Sequence, residues 1–169
     1  MPLPRAAAPF FAVSERKLLV LSLLTFGLYQ FYWFYQHWQV EKRTEHPRIT
    51  PLGRSLLVYF FCHSLFRRVS ERAVRHGLRA LPAGALTIGW VVTSLMGEIP
   101  PPYFFGVFLT GFFLLPVQRA ANAVNTLEAP GHDPNDRFTL WNVLWVAVTL
   151  VTAALVWVAL RALDAQLAL

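Results

Sequence analysis

The sequence predicts an all-α integral membrane protein with four transmembrane helices and one basic amphipathic helix that is interfacial or re-entrant. Three observations carry this prediction. Of 169 residues, 56% are hydrophobic and only 14% are charged, whereas soluble domains carry roughly 25% charged residues. Several uncharged apolar runs approach the length of about 20 residues that crosses a bilayer as a helix. The fifteen Lys and Arg, set against nine Asp and Glu, border those runs. Residues 1–169 therefore form a single membrane domain, with too little chain left over for a sizeable soluble one.

The elements follow in order. Met1 to Ser14, with Pro2, Pro4 and Pro9, is an exposed or interface-resting arm. The first span, about 18–38, contains 21 residues from Leu18 to Trp38 without a formal charge. It lacks a small-residue cleavage site, so it is an uncleaved span rather than a signal peptide. Its second half, Phe26 to Trp38, holds eight aromatics in thirteen residues, which suits a headgroup boundary. Gly27 is a candidate kink. The second and third spans, about 80–97 and 101–118, are joined by GEIPPP, so they form an antiparallel hairpin. The fourth, about 138–160, is the clearest, and the turn-rich loop Thr126 to Arg137 precedes it.

Between the first and second spans lies the interfacial helix, about 52–78. Ser55 to Phe66 is twelve uncharged residues, short for a crossing. At helical spacing Arg68, Arg72, Arg75 and Arg79 fall on one stripe, as expected of a basic helix lying on a membrane. Counting Lys and Arg on each side gives eleven against four, which favours both termini outside. A crossing by Ser55 to Phe66 is the alternative; it gives five spans and moves the N-terminus inside.

The stretch LLTFGLYQFYWFY (Leu23 to Tyr35) resembles the T-[LF]-G-[IL]-Y-x-x-[YF]-W signature of small bacterial inner-membrane proteins of unknown function. ITPLGRSLLVYFFCHSLFRR (Ile49 to Arg68) and LLPVQRAANAVN (Leu114 to Asn125) look like further blocks of one proteobacterial branch. The resemblance implies a multi-pass protein of the bacterial inner membrane. It implies no catalytic residues, because none are established for that family.

Packing signals outnumber chemical ones. Ser22, Thr25, Tyr29, Tyr32 and Gln36 recur at spacings of three and four on the first span and so form one polar stripe. Ala85, Gly89, Thr93 and Gly97, facing Gly106 and Thr110, let two backbones approach closely. The basic residues predicted to meet lipid headgroups or a partner are Arg54, Arg68, Arg72, Arg75, Arg79 and Arg119. A polar cavity would draw on His63, Asn122 and Asn142. His37, Glu41 and Glu45 share a helical face, but the glutamates can pair with Lys42 or Arg48 instead, so no metal is predicted. Cys62 and His63 are adjacent and point about 100° apart on a helix, which gives no nucleophile and base. A lone cysteine also excludes an internal disulfide or a Cys-rich zinc site. No cofactor motif appears, and the net charge of +6 points to anionic lipid headgroups rather than nucleic acid. The function this predicts is a non-enzymatic accessory or assembly protein of the inner membrane, acting through a membrane-protein partner or a homo-oligomer. The alternative is an oligomeric transporter or binder of lipid or a small solute.

Overall fold

The computed structural model describes residues 7–97, 99 and 103–167. Among these, every regular element is helical: α1 (Glu15–Leu24), α2 (Leu28–Thr44), α3 (Pro51–Leu56), α4 (Val58–Arg75), α5 (Ala83–Met96), a 3₁₀ segment (Tyr103–Leu109), α6 (Thr110–Glu128) and α7 (Leu140–Leu167). The chain divides into two compact units, Met1–Asp136 and Arg137–Leu169.

The first predicted span is not a straight helix. Ser14 caps α1 by accepting a hydrogen bond from the Lys17 N–H at 3.2 Å, and α1 ends after ten residues. Phe26 and Gly27 then take positive φ values of 49° and 84°. That left-handed pair reverses the chain, and glycine bears it without a Cβ penalty. The partners of α6 give the direction of each neighbour. Along α6, Gly111 meets Leu19 and Ser22 and Arg119 meets Glu15, so α1 runs antiparallel to it. Thr110 meets Gln30 and Gln118 meets Trp33 and His37, so α2 runs parallel to it. Hence 18–38 is a helical hairpin that returns to the end it left.

The predicted interfacial helix is a core helix. Val58, Cys62, Leu65, Phe66, Val69, Ser70 and Ala73 of α4 are buried, at spacings of three and four that build one apolar stripe. That stripe packs on α5 and α6 instead of resting on a membrane. Its partners on α5 run in reverse order, with Tyr59 against Trp90 and His63 against Thr87.

Helix α5 is antiparallel to the 3₁₀ segment and α6, as the hairpin reading requires. The register differs from the expected one. A Cβ on Gly89 would stand within 2.7 Å of the Phe113 ring, and one on Gly106 would stand 2.7 Å from the Met96 Cβ. The small residues therefore admit large side chains rather than facing each other. Glu98 and Pro100 to Pro102 of the predicted turn lie outside the described residues.

Five helix termini consequently meet at one end of this unit: the starts of α1 and α5 and the ends of α2, α4 and α6. Among the described residues, the other end, 24–31, 56–63, 87–97 and 103–114, contains no Lys, Arg, Asp or Glu; Glu98 lies outside the described residues.

In the second unit, Thr139 and Asn142 cap α7 reciprocally. The Thr139 N–H donates to Asn142 Oδ1 at 3.0 Å, and the Asn142 N–H donates to Thr139 Oγ1 at 3.4 Å. This is the geometry of a capping box. Asn142 is thus a helix cap. Helix α7 has 28 residues, about 42 Å at 1.5 Å per residue. Its consecutive apolar residues, Trp141, Val143, Leu144 and Trp145 among them, are exposed.

Among the described residues two helices, rather than the four predicted, are long and apolar enough to cross a membrane: Phe105–Glu128 and Leu140–Gln166. Helix α5, with 14 residues, reaches only about 21 Å. The hairpin α1–α2 passes for a span in the sequence because no charge marks its tip.

Candidate functional site

The most organised polar site runs along one face of α6. Gln118 is fully buried, and all four hydrogen-bonding positions of its amide are used. Oε1 accepts from Trp33 Nε1 at 2.6 Å and from His37 Nε2 at 3.3 Å. Nε2 donates to the Phe11 carbonyl at 3.0 Å and to Asn122 Oδ1 at 2.8 Å. One turn on, Asn122 Nδ2 donates to the Val13 carbonyl at 2.9 Å. Asn125, also fully buried, takes the Phe10 N–H at 2.9 Å and donates to the Phe10 carbonyl at 3.0 Å. Asn135 closes the set, donating to the Ala12 carbonyl at 3.0 Å.

These amides clamp an extended arm, residues 10–13, by its backbone. Phe10 and Val13 are buried, and the Phe11 ring meets Tyr32 and His37 edge-on. Residues 10–13 of the arm expected to be exposed or interface-resting are therefore part of the core, while residues 1–6 lie outside the described residues. An extended segment has no internal hydrogen bonds, so its buried N–H and C=O groups need outside partners, and α6 supplies them.

A second buried junction holds the uncharged end. Gln30 Nε2 donates to Thr110 Oγ1 at 2.6 Å, and Gln30 Oε1 accepts from Trp90 Nε1 at 2.6 Å. One amide thus joins α2, α5 and α6. The face of α2 that turns inward is Gln30, Trp33, Phe34, His37, Trp38 and Glu41, not the predicted Tyr29, Tyr32 and Gln36. The stripe changes because the reversal at Phe26 and Gly27 resets the helical phase. A polar residue recurring with Trp at helical spacing was the only available signal.

At the charged end, acidic residues of α2 and α6 take the arginines of α4. Arg68 pairs with Glu41, which also lies 2.9 Å from His46 Nδ1. Arg72 pairs with Glu45 and makes two parallel 2.7 Å hydrogen bonds to the Glu128 carboxylate, which also meets His76 at 2.7 Å. The Glu128 hydrogen bonds hold the Arg72 guanidinium above its ordinary pKa against the opposing effect of burial. Glu41, Glu45 and His46 bring ligand-type atoms within 4.8 Å of one another. Both carboxylates are already engaged by arginine, so the cluster acts as an ion-pair network.

The residues predicted to meet headgroups divide accordingly. Arg68 and Arg72 point inward to acids. Arg54 lies over the Trp38 and Phe61 rings at 4.6 and 5.1 Å. Burial, with Arg68 nearby, pulls its pKa below the ordinary value, and Glu41 opposes that. Arg119 is exposed and bonds both carboxylate oxygens of Glu15. Arg79 lies beyond the end of α4, past Gly77 with its φ of 72°, and so leaves the stripe. Arg75 remains exposed. Arg54, His63, Arg119 and Asn122 each meet different partners and do not line one cavity. The Cys62 thiol is buried and lies 3.6 Å from the Tyr59 carbonyl, away from the His63 ring, which meets Thr87.

No protein-family model, no curated protein and no solved structure matches this chain. Its function is argued from the geometry alone.

Proposed function

We propose that this chain is a small, non-enzymatic accessory or assembly protein of the bacterial inner membrane. In this reading, its first unit enters the bilayer from the cytoplasmic side. The charged end stays at the cytoplasmic headgroups and the uncharged end is immersed. The α1–α2 hairpin dips and returns, as does α3–α4. The α5–α6 hairpin reaches the far face, since Tyr103 to Arg119 measures about 29 Å, close to the thickness of the hydrocarbon core. Helix α7 crosses once more, leaving Arg161 outside.

The observation that carries the reading is the one-ended distribution of charge. Most exposed side chains at the uncharged end are apolar, including Leu28, Phe60, Ile88, Val92 and Phe112, with His63 as a polar exception. An excess of Lys and Arg at the other end agrees with the positive-inside rule. The titratable groups that do converge, Glu41, Glu45 and Glu128, are engaged by Arg68, Arg72, His46 and His76, which favours a structural role over catalysis. Contacts with a partner subunit or a second copy would use α7, whose apolar sides are unpacked.

A labelling experiment tests this topology. In a Cys62→Ser background, single cysteines at Arg16 and Arg43, both exposed, should react with an impermeant maleimide from the same side of inverted vesicles. A single cysteine at Pro101 should react from the opposite side. Opposite labelling of positions 16 and 43 would restore a continuous first span and overturn the proposal.

A further inference from the structure

The outer side of α4 forms a cleft with the start of α5, of about 570 Å³. His63, Arg67, Ser70, Glu71 and Arg75 line it from α4, and Ala83 lines it from α5. We infer that this cleft binds a phosphate group, carried by a phospholipid headgroup or by a free phosphate.

Helix α4 carries two sets of arginines. Arg68 and Arg72 are neutralised inside the fold by Glu41, Glu45 and Glu128. Arg67 and Arg75, two turns apart, face the cleft. Arg75 has no hydrogen bond or ion pair among the described residues. Arg67 donates through Nε to Glu71 at 2.7 Å, which leaves its two terminal nitrogens unused. Because Glu71 is four residues on, this pair turns the Arg67 guanidinium along the helix toward Arg75. Both side chains of the pair are more than half exposed, at 70% and 53%, so its net worth is small and a stronger anion can share Arg67.

The other lining groups fit the same ligand. Ser70 Oγ accepts from the Leu81 N–H at 2.9 Å, and this bond fixes the connection that closes one wall. Ala83 begins a helix of 14 residues; its own N–H donates to the Leu81 carbonyl at 2.8 Å, and the amides of Gly84 and Ala85, also in the first turn, lack carbonyl partners within the helix. The positive end of the α5 dipole adds to the arginine field. Two guanidinium forks and a helix start match the oxygens of a phosphate. The cleft also meets exposed Val74, which suits a ligand with an apolar remainder.

The lipid source rests on the one-sided insertion proposed above; the phosphate chemistry does not. Both are tested on detergent-solubilised full-length protein by thermal unfolding, with dihexanoyl phosphatidic acid, inorganic phosphate and dihexanoyl phosphatidylcholine as probes. Phosphatidic acid should raise the midpoint saturably, and Arg67→Gln/Arg75→Gln should weaken its apparent affinity about tenfold or more, as expected for lost charge-assisted hydrogen bonds. The control Lys42→Gln/Arg48→Gln, with the same change in charge at two exposed positions, should bind as the parent does. A matching shift with inorganic phosphate supports the free ion as the source. A shift with phosphatidic acid alone supports the lipid. No saturable shift with either, an equal loss in the control, or equal binding of phosphatidylcholine that survives the Arg67 and Arg75 substitutions overturns the inference. Failure here with intact labelling topology rejects the cleft alone.

Discussion

Gln118→Leu is expected to lower stability by about 4 kcal/mol, since each buried polar group left without a partner costs roughly 1–3 kcal/mol. The substitution keeps the volume apolar but strands Trp33 Nε1, His37 Nε2 and the Phe11 carbonyl together. Trp33 is fully buried and His37 nearly so, so water cannot replace the lost amide without opening the core. Asn122→Ala, which at a half-buried position strands one Gln118 Nε2 hydrogen and the Val13 carbonyl, should cost about 2 kcal/mol. Reversible unfolding in mixed micelles, followed by circular dichroism, measures both. Equal small effects would mean that the α6 amides do not hold the arm.

Gly89→Leu is expected to cost about 3 kcal/mol, the upper part of the usual range for overpacking. The flat face of Phe113 occupies the space a Cβ would need, and an aromatic ring at close quarters has little freedom to retreat. Adding Phe113→Ala to Gly89→Leu should recover part of that loss. Such recovery is an interaction energy of the kind seen between residues in direct contact. Two simply additive losses would place Gly89 away from Phe113.

These two expectations also mark what the sequence reveals about the fold. Helical content, the helix at the C-terminal end and the close approach at Gly89 are legible because they depend on composition and local periodicity. Gly27 was readable as a weak point, but a kink and a complete reversal share that signal. The positive φ of Phe26 is imposed by packing and has no sequence mark. Arg68 and Arg72 share a helical face as their spacing indicates, but the acids they meet stand 27 and 56 residues away, beyond the reach of local periodicity. Gln118, Asn122 and Asn125 hold the arm from α6. Their partners are backbone atoms, and any residue has those, so the sequence held no clue to the arm.

The clamp on residues 10–13 has a consequence for how the chain is built. Its hydrogen bonds close sequence separations of 107, 109 and 115 residues. Phe10 cannot acquire its buried partner until Asn125 has been synthesised and α6 has settled. The arm therefore leaves the ribosome long before its binding groove exists, and it must wait in an unpaired state while three hairpins form. Loop closure over such a distance adds entropy only slowly with length, but non-local contacts of this kind delay completion of the native state. Locking the arm becomes the act that certifies a finished first unit, joining a segment that precedes α1 to the last helix of the bundle.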